Sequence, residues 1–135
     1  MFKGLSLSAS GIMFGAVIFT ASHVCAGENT CASSPLLVGQ CFEIHGRLAL
    51  YNGNPSVRIW QVGTKHLLGV FDAKGHPMED SELLPAKIRK LIPADPDATA
   101  VFGDYFVCPF ERALPGRMQP VCIAGAKHLR SESPR

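Results

Sequence analysis

The chain lacks a surplus of charge of either sign, with 13 Lys and Arg against 11 Asp and Glu. It has no polybasic stretch and no acidic tail, so the electrostatic footprint of a nucleic-acid-binding protein is missing. None of the patterns GxSxG, HExxH, P-loop or GxGxxG occurs, which removes the commonest hydrolase, zinc-protease, nucleotide and dinucleotide signatures. No CxxC is present either, arguing against a zinc ribbon or a thioredoxin-like redox site. There is no internal repeat and no low-complexity tract. The longest apolar run, "GIMFGAVIFTA" from Gly11 to Ala21, falls short of the roughly 20 residues a membrane-spanning helix needs, and it ends in Ser22-His23.

That run has a better explanation. Lys3 forms a short positive start, the apolar run follows, and "VCA" (Val24 to Ala26) puts branched and small residues at the minus-three and minus-one positions before Gly27. Residues 1–26 are therefore expected to be a secretory signal peptide cleaved after Ala26. A lipoprotein signal using Cys25 is the alternative, with Ser22 and Val24 as poor neighbours for that cleavage. Cleavage would remove Lys3 and leave 12 basic residues against 11 acidic ones, a net charge of +1 with neutral histidines. The expected destination is the periplasm or the outside of the cell, with no membrane segment retained.

After cleavage about 109 residues remain, enough for one modest core: a single β-rich domain over 27–130 and a disordered tail over 131–135. Four cysteines remain as well: Cys31, Cys41, Cys108 and Cys122. An even number in a small exported domain predicts two disulfides. The favoured pairing is Cys31 with Cys41 and Cys108 with Cys122, the latter across a hairpin. A bridge from the N-terminal segment to the last strand is the competing connectivity.

In "CFEIHGRLALY" the apolar residues Phe42, Ile44, Leu48 and Leu50 alternate with Glu43, His45, Arg47, Ala49 and Tyr51, the period of a half-buried strand. Asn52-Gly53 then predicts a two-residue hairpin turn. That register sets Leu48 against Val57, Leu50 against Pro55 and Gly46 against Ile59 on the apolar side. On the other side it sets Arg47 against Arg58 and His45 against Trp60. "HLLGVF" (His66 to Phe71) reads as a third strand, with Gly69 marking a bulge or a close approach of backbone. Ser81 reads as the N-cap of a helix carrying Leu84, Ile88, Leu91 and Ile92 on one stripe and stopped by Pro93. Ala100 to Phe110, kinked at Gly103-Asp104, and Gln119 to Ala126 read as two further strands. Strand, strand, strand, helix, strand, strand is the order of an OB-like five-stranded barrel.

The candidate chemistry is sparse. His76, Glu79 and Asp80 in "HPMED" share a polar loop but read more naturally as solvated residues that begin a helix. Asp72 and Asp104 have nothing in the sequence to bring them together. No catalytic residue, metal or cofactor is expected. The better candidate is the polar face of the first hairpin. There a directly opposed Arg47 and Arg58 would destabilise the sheet unless neutralised, and Trp60, Tyr51 and His45 lie beside them. An anion, a glycan or a peptide across these residues is the functional reading. The bland reading is a face that covers itself, with Glu43 diagonal to Arg58 and Trp60 against His45 and Arg58.

"CFEIHGRLALYNGNPSVRIWQVGTKHLLGV", "FGDYFVCPF" and "PGRMQPVCI" resemble a group of small exported bacterial proteins to which no activity is attached. The resemblance implies an exported bacterial setting and transfers no site residue. Taken together, the sequence predicts an exported, non-enzymatic binding or accessory domain for an unknown protein, glycan or small anionic ligand. A small periplasmic hydrolase or metal-dependent enzyme drawing on His66, His76, Asp72 and Asp104 is the alternative. An envelope-structural protein without a ligand is the third.

Overall fold

The computed structural model describes residues 4, 30–92 and 100–132; the expected signal peptide and residues 133–135 therefore lie outside the described residues, Gly4 excepted. Five strands make a closed barrel: β1 (Phe42–Leu50), β2 (Val57–Gln61), β3 (Leu67–Val70), β4 (Val101–Pro109) and β5 (Gln119–Ser131). Their order around the barrel is β1-β2-β3-β5-β4, and β1 pairs with β4 to close it. The short β3–β5 contact, Leu68 opposite Gln119 to Val70 opposite Val121, is parallel, and the other pairings are antiparallel. This is the expected OB-like arrangement, with one short helix, α1 (Ala86–Arg89), between β3 and β4.

The alternation read along the first strand is the one that builds the core. Ile44 and Leu48 point inward with Val57, Ile59, Leu68, Val70, Tyr105, Val107, Val121 and Ile123. Each fully buried aliphatic side chain contributes roughly 1.5–3 kcal/mol. Gly46 lies among them because a Cβ there would come within 2.5 Å of Ile59 and 3.2 Å of the Tyr105 ring. Tyr105 is fully buried, and its hydroxyl donates to the Val101 carbonyl at 2.7 Å. Burial pushes this phenol well above its ordinary pKa.

The hairpin register differs from expectation by two residues. Leu50 faces Val57, Leu48 faces Ile59, Ala49 faces Arg58 and Arg47 faces Trp60. A shift of two keeps every side chain on its expected face while changing its neighbours. The connection is a six-residue loop, 51–56, rather than the Asn-Gly turn alone. Tyr51 N–H donates to Ser56 O at 2.8 Å, whereas the Ser56 and Val57 amides turn to the carbonyl of Met78. Pro55 has no N–H to offer a ladder position opposite Leu50, and it is buried against Gly69 instead, where a Cβ would meet it at 2.8 Å. Gly69 is thus the close backbone approach expected of it.

The helix is shorter than expected. Ser81 does not cap it; its carbonyl closes an isolated turn with Leu84 N–H, while Asp80 accepts from Glu82 N–H at 2.8 Å. A proline disfavours helical backbone in the residue before it, so helix begins only after Pro85. Leu84 and Ile88 still reach the core. At the other end of the chain β5 outruns its expected end at Ala126, and Ser131, expected to begin the disordered tail, is its last residue. Leu129 packs on the core, Ser131 faces Val101, and Glu132 N–H donates to Ala100 O at 2.7 Å. The register slips at Phe102/Asp104, the site of the expected kink.

The disulfides are Cys31–Cys122 and Cys41–Cys108, which overturns the favoured pairing. Cys108 does face Cys122 across the β4–β5 hairpin, but each is bonded to the N-terminal segment. The reason lies in packing. Residues from this segment cover the cysteines in a second buried cluster, Cys31, Cys108 and Cys122 with Leu37, Cys41 and Phe110, separate from the barrel core. Val38 N–H also donates to Pro109 O at 3.0 Å. The bridge to the last strand, the competing connectivity, is the one formed.

Candidate functional site

Arg47, Arg58, Trp60 and Tyr51 do share the outer surface of β1 and β2, but not as the two-residue turn implied. Arg47 and Arg58 are not opposed. The Arg47 Nε and Nη2 groups both donate to one carboxylate oxygen of Glu132, at 3.1 and 2.8 Å. Arg58 donates through Nε to Pro55 O at 2.9 Å and through Nη2 to Asn52 O at 3.2 Å. Its guanidinium lies over the Tyr51 ring, 5.3 Å from the centroid. Gly53, at φ 112°, lets the loop take this shape, and a Cβ there would strike Arg58 Nη2 at 2.8 Å. Arg58 has no carboxylate partner among the described residues.

Trp60 is not against His45 but opposite Arg47, with Leu67 on its other side. It is 36% exposed, and its indole N–H donates to Thr64 O at 2.7 Å, so the ring is held by the β2–β3 turn. Glu43 is paired with Lys127 at 2.8 Å rather than with Arg58, and this bond raises the Lys127 pKa. The like-charge conflict on which the binding argument rested therefore does not exist. A cation fixed by neutral carbonyls beside two exposed aromatic rings is what stands there.

His45 belongs to a different group. Its Nδ1 lies 2.9 Å from one oxygen of Asp104, and Nδ1 of His128 lies 2.7 Å from the other. Hydrogen bonds from His128 first and His45 second hold the Asp104 carboxyl below its ordinary pKa. His128 occupies left-handed backbone, φ 53°, where β5 slips against β4. The sequence carried no signal for this trio, because its members come from three strands and the bulge that brings His128 onto Asp104 has no local motif.

Of the residues His66, His76, Asp72 and Asp104 weighed for hydrolytic or metal chemistry, Asp72 and His76 meet, and the other two are engaged elsewhere. Asp72 accepts from the Lys74 and His76 amides at 2.8 and 2.9 Å and meets the His76 ring at 3.2 Å. Partial burial works to raise its pKa, but the His76 amide and ring and the Lys74 amide together lower it. His66 Nδ1 sits 3.1 Å from Gln61 Oε1. β5 separates β3, after which Asp72 falls, from β4, which carries Asp104. Among the described residues, the one cluster with metal-ligand spacing is Cys31, Cys108 and Cys122, all consumed by disulfides.

A concave site also exists that the sequence did not announce. A cavity of about 620 Å³ opens between α1 and the 3₁₀ turn Cys31–Ser33, lined by Phe71, Met78, Leu84, Ile123 and the Cys31–Cys122 bridge, with Lys87 among its charged residues. No family model, no curated protein and no solved structure matches the chain.

Proposed function

We propose that the protein is an exported, non-enzymatic binding domain whose outer β1–β2 face takes a small anionic ligand with a ring body, such as an acidic or sulfated sugar. The observation that carries this reading is Arg58. It is a guanidinium with no carboxylate partner among the described residues, fixed by the Pro55 and Asn52 carbonyls over Tyr51. A guanidinium so fixed has little side-chain entropy left to lose, and anion contacts of this kind are directional. Trp60 and Tyr51 supply flat, partly apolar surfaces of the kind that accept a sugar ring. In other OB-like barrels the second and third strands and the loop between the first and second commonly carry ligands, which supports Arg58 and Trp60 on β2 and the 51–56 loop by analogy.

Export is supported by two disulfides, which persist in oxidising compartments, and by the apolar N-terminal run. No helix among the described residues is long and apolar enough to cross a membrane. Sequencing the N-terminus of protein recovered from the periplasm or medium is expected to start at Gly27.

Trp60 is the sole tryptophan, so its fluorescence reports on this face alone. Titration with a sulfated disaccharide is expected to change the emission saturably. Arg58→Gln is expected to weaken that binding about tenfold, the order of one charge-assisted contact. Absence of any saturable response up to millimolar ligand, across sulfated and carboxylated sugars, would sink the reading.

A further inference from the structure

The four cysteines lie side by side as a row rather than as two separate staples. Cys41 directly precedes β1, Cys108 lies on β4 between β1 and β5, and Cys122 lies on β5 opposite Cys108. Cys108 therefore has a cysteine on either side: it is bonded to Cys41, and its other lateral neighbour, Cys122, is bonded to Cys31. The sulfurs of Cys31, Cys108 and Cys122 all lie within 4.8 Å of one another. Directly opposed residues of an antiparallel pair have Cα atoms about 4.5–5.5 Å apart, inside the range that a disulfide spans. A Cys108–Cys122 bond therefore needs no movement of the sheet.

Accessibility gives the row a direction. Cys31, Cys108 and Cys122 are buried, at 3%, 0% and 1% exposure, whereas Cys41 is only partly buried. We infer that the cysteines form a thiol–disulfide relay in which reduction enters at Cys41 and emerges at Cys31, leaving a cross-strand Cys108–Cys122 bond. A dithiol reductant supplies the electrons. Its thiolate attacks Cys41 Sγ, forming a mixed disulfide, and Cys108 leaves as a thiolate. Cys108 Sγ then attacks Cys122 Sγ; the Cys108–Cys122 bond forms, the Cys31–Cys122 bond breaks, and Cys31 leaves as a thiolate that takes a proton. The second thiol of the reductant attacks its own sulfur in the mixed disulfide and releases Cys41. The net change is one disulfide reduced by two electrons, with Cys31 and Cys41 as the free thiols.

The exchange has a structural consequence. It cuts both covalent ties between the barrel and the N-terminal segment while keeping β4 and β5 joined. Cys31 and Cys122 line the 620 Å³ cavity, so the same step frees one of its walls. The relay is thus a redox-operated release of the segment around residues 31–41.

The test is partial reduction of the native protein with limiting dithiothreitol, quenched at intervals with N-ethylmaleimide and mapped by mass spectrometry. Any Cys25 retained is read in its own peptide. The expected two-thiol species carries label on Cys31 and Cys41 and keeps a Cys108–Cys122 linkage. Label on Cys41 and Cys108 with Cys31–Cys122 intact would overturn the relay, and so would passage straight to four thiols. In a second arm, Cys41→Ser leaves Cys108 free from the start. Label at Cys31 together with a Cys108–Cys122 bond is then expected, and label confined to Cys108 overturns the inference.

Discussion

At the scale of single residues, the polar groups here are mostly spent on holding backbone. Arg58 pins the 51–56 loop, Trp60 pins the β2–β3 turn, and Tyr105 ties the start of β4 from inside the barrel. Arg58→Ala is consequently expected to cost about 1 kcal/mol of stability through loss of the loop contacts, readable as a lower urea midpoint. A binding assay therefore has to be normalised to folded protein. Tyr105→Phe removes one buried hydrogen bond, with an expected cost of about 0.5–1.5 kcal/mol. Asp104 is exposed, so its effect is stated only as a direction. Its folded pKa lies below the ordinary 3.8 because of His128 and His45. The stability it contributes is thus present above 3.8 and is lost as pH falls through the lower folded value. The melting temperatures of wild type and Asp104→Asn, measured from pH 5 down to pH 2, are expected to converge at the acid end. A gap that stays constant across this range would mean that the carboxylate has no such role.

At the scale of elements, faces were legible and neighbours were not. Alternation in "CFEIHGRLALY" assigns each side chain to inside or outside, because that depends only on strand period. Who faces whom depends on the loop, and the loop here is decided by the carbonyl of Met78, a residue beyond β3, which draws the Ser56 and Val57 amides. The same distinction explains the helix. Leu84 and Ile88 were rightly assigned to the core, but Pro85 fixes where helical backbone starts. It also explains β5, whose polar residues 127–131 fall outside the expected strand because one side of a solvent-facing strand is polar by necessity. The expected register sets Gly46 opposite Ile59 on the apolar side; it faces Gln61 instead, yet a Cβ there would still come within 2.5 Å of Ile59 and 3.2 Å of Tyr105. Gly46→Ala is expected to cost about 1–3 kcal/mol by overpacking, visible as a reduced thermal midpoint with the far-UV spectrum retained. An unchanged midpoint would show that Ile59 moves aside freely.

At the scale of the molecule, a small barrel is combined with an N-terminal segment whose described residues, 30–41, contribute no strand, and the disulfides join the two. Element order alone was enough to name the barrel, because strand count and one intervening helix leave few closed arrangements. Cysteine spacing could not name the bridges, because four cysteines permit three connectivities and the choice rests on a segment packed over β4 and β5. The connectivity found spans 91 and 67 residues, far more than the ten-residue separation of Cys31 and Cys41. In the chain-entropy account the constraint on the unfolded state grows with the loop, from about 3 kcal/mol for 15 residues to about 4.7 for 100. Replacing Cys31 and Cys122 together by serine is therefore expected to cost about 2–5 kcal/mol. Because Ile44, Leu48, Tyr105 and their neighbours form a core separate from the cysteine cluster, the variant is expected to keep the barrel. The unfolded chain should also be more open, so the guanidinium midpoint falls while the slope of the transition steepens. A fallen midpoint with an unchanged slope would instead place the bridge's contribution in native packing around residues 31–41, and the entropic account of this fold would have to be given up.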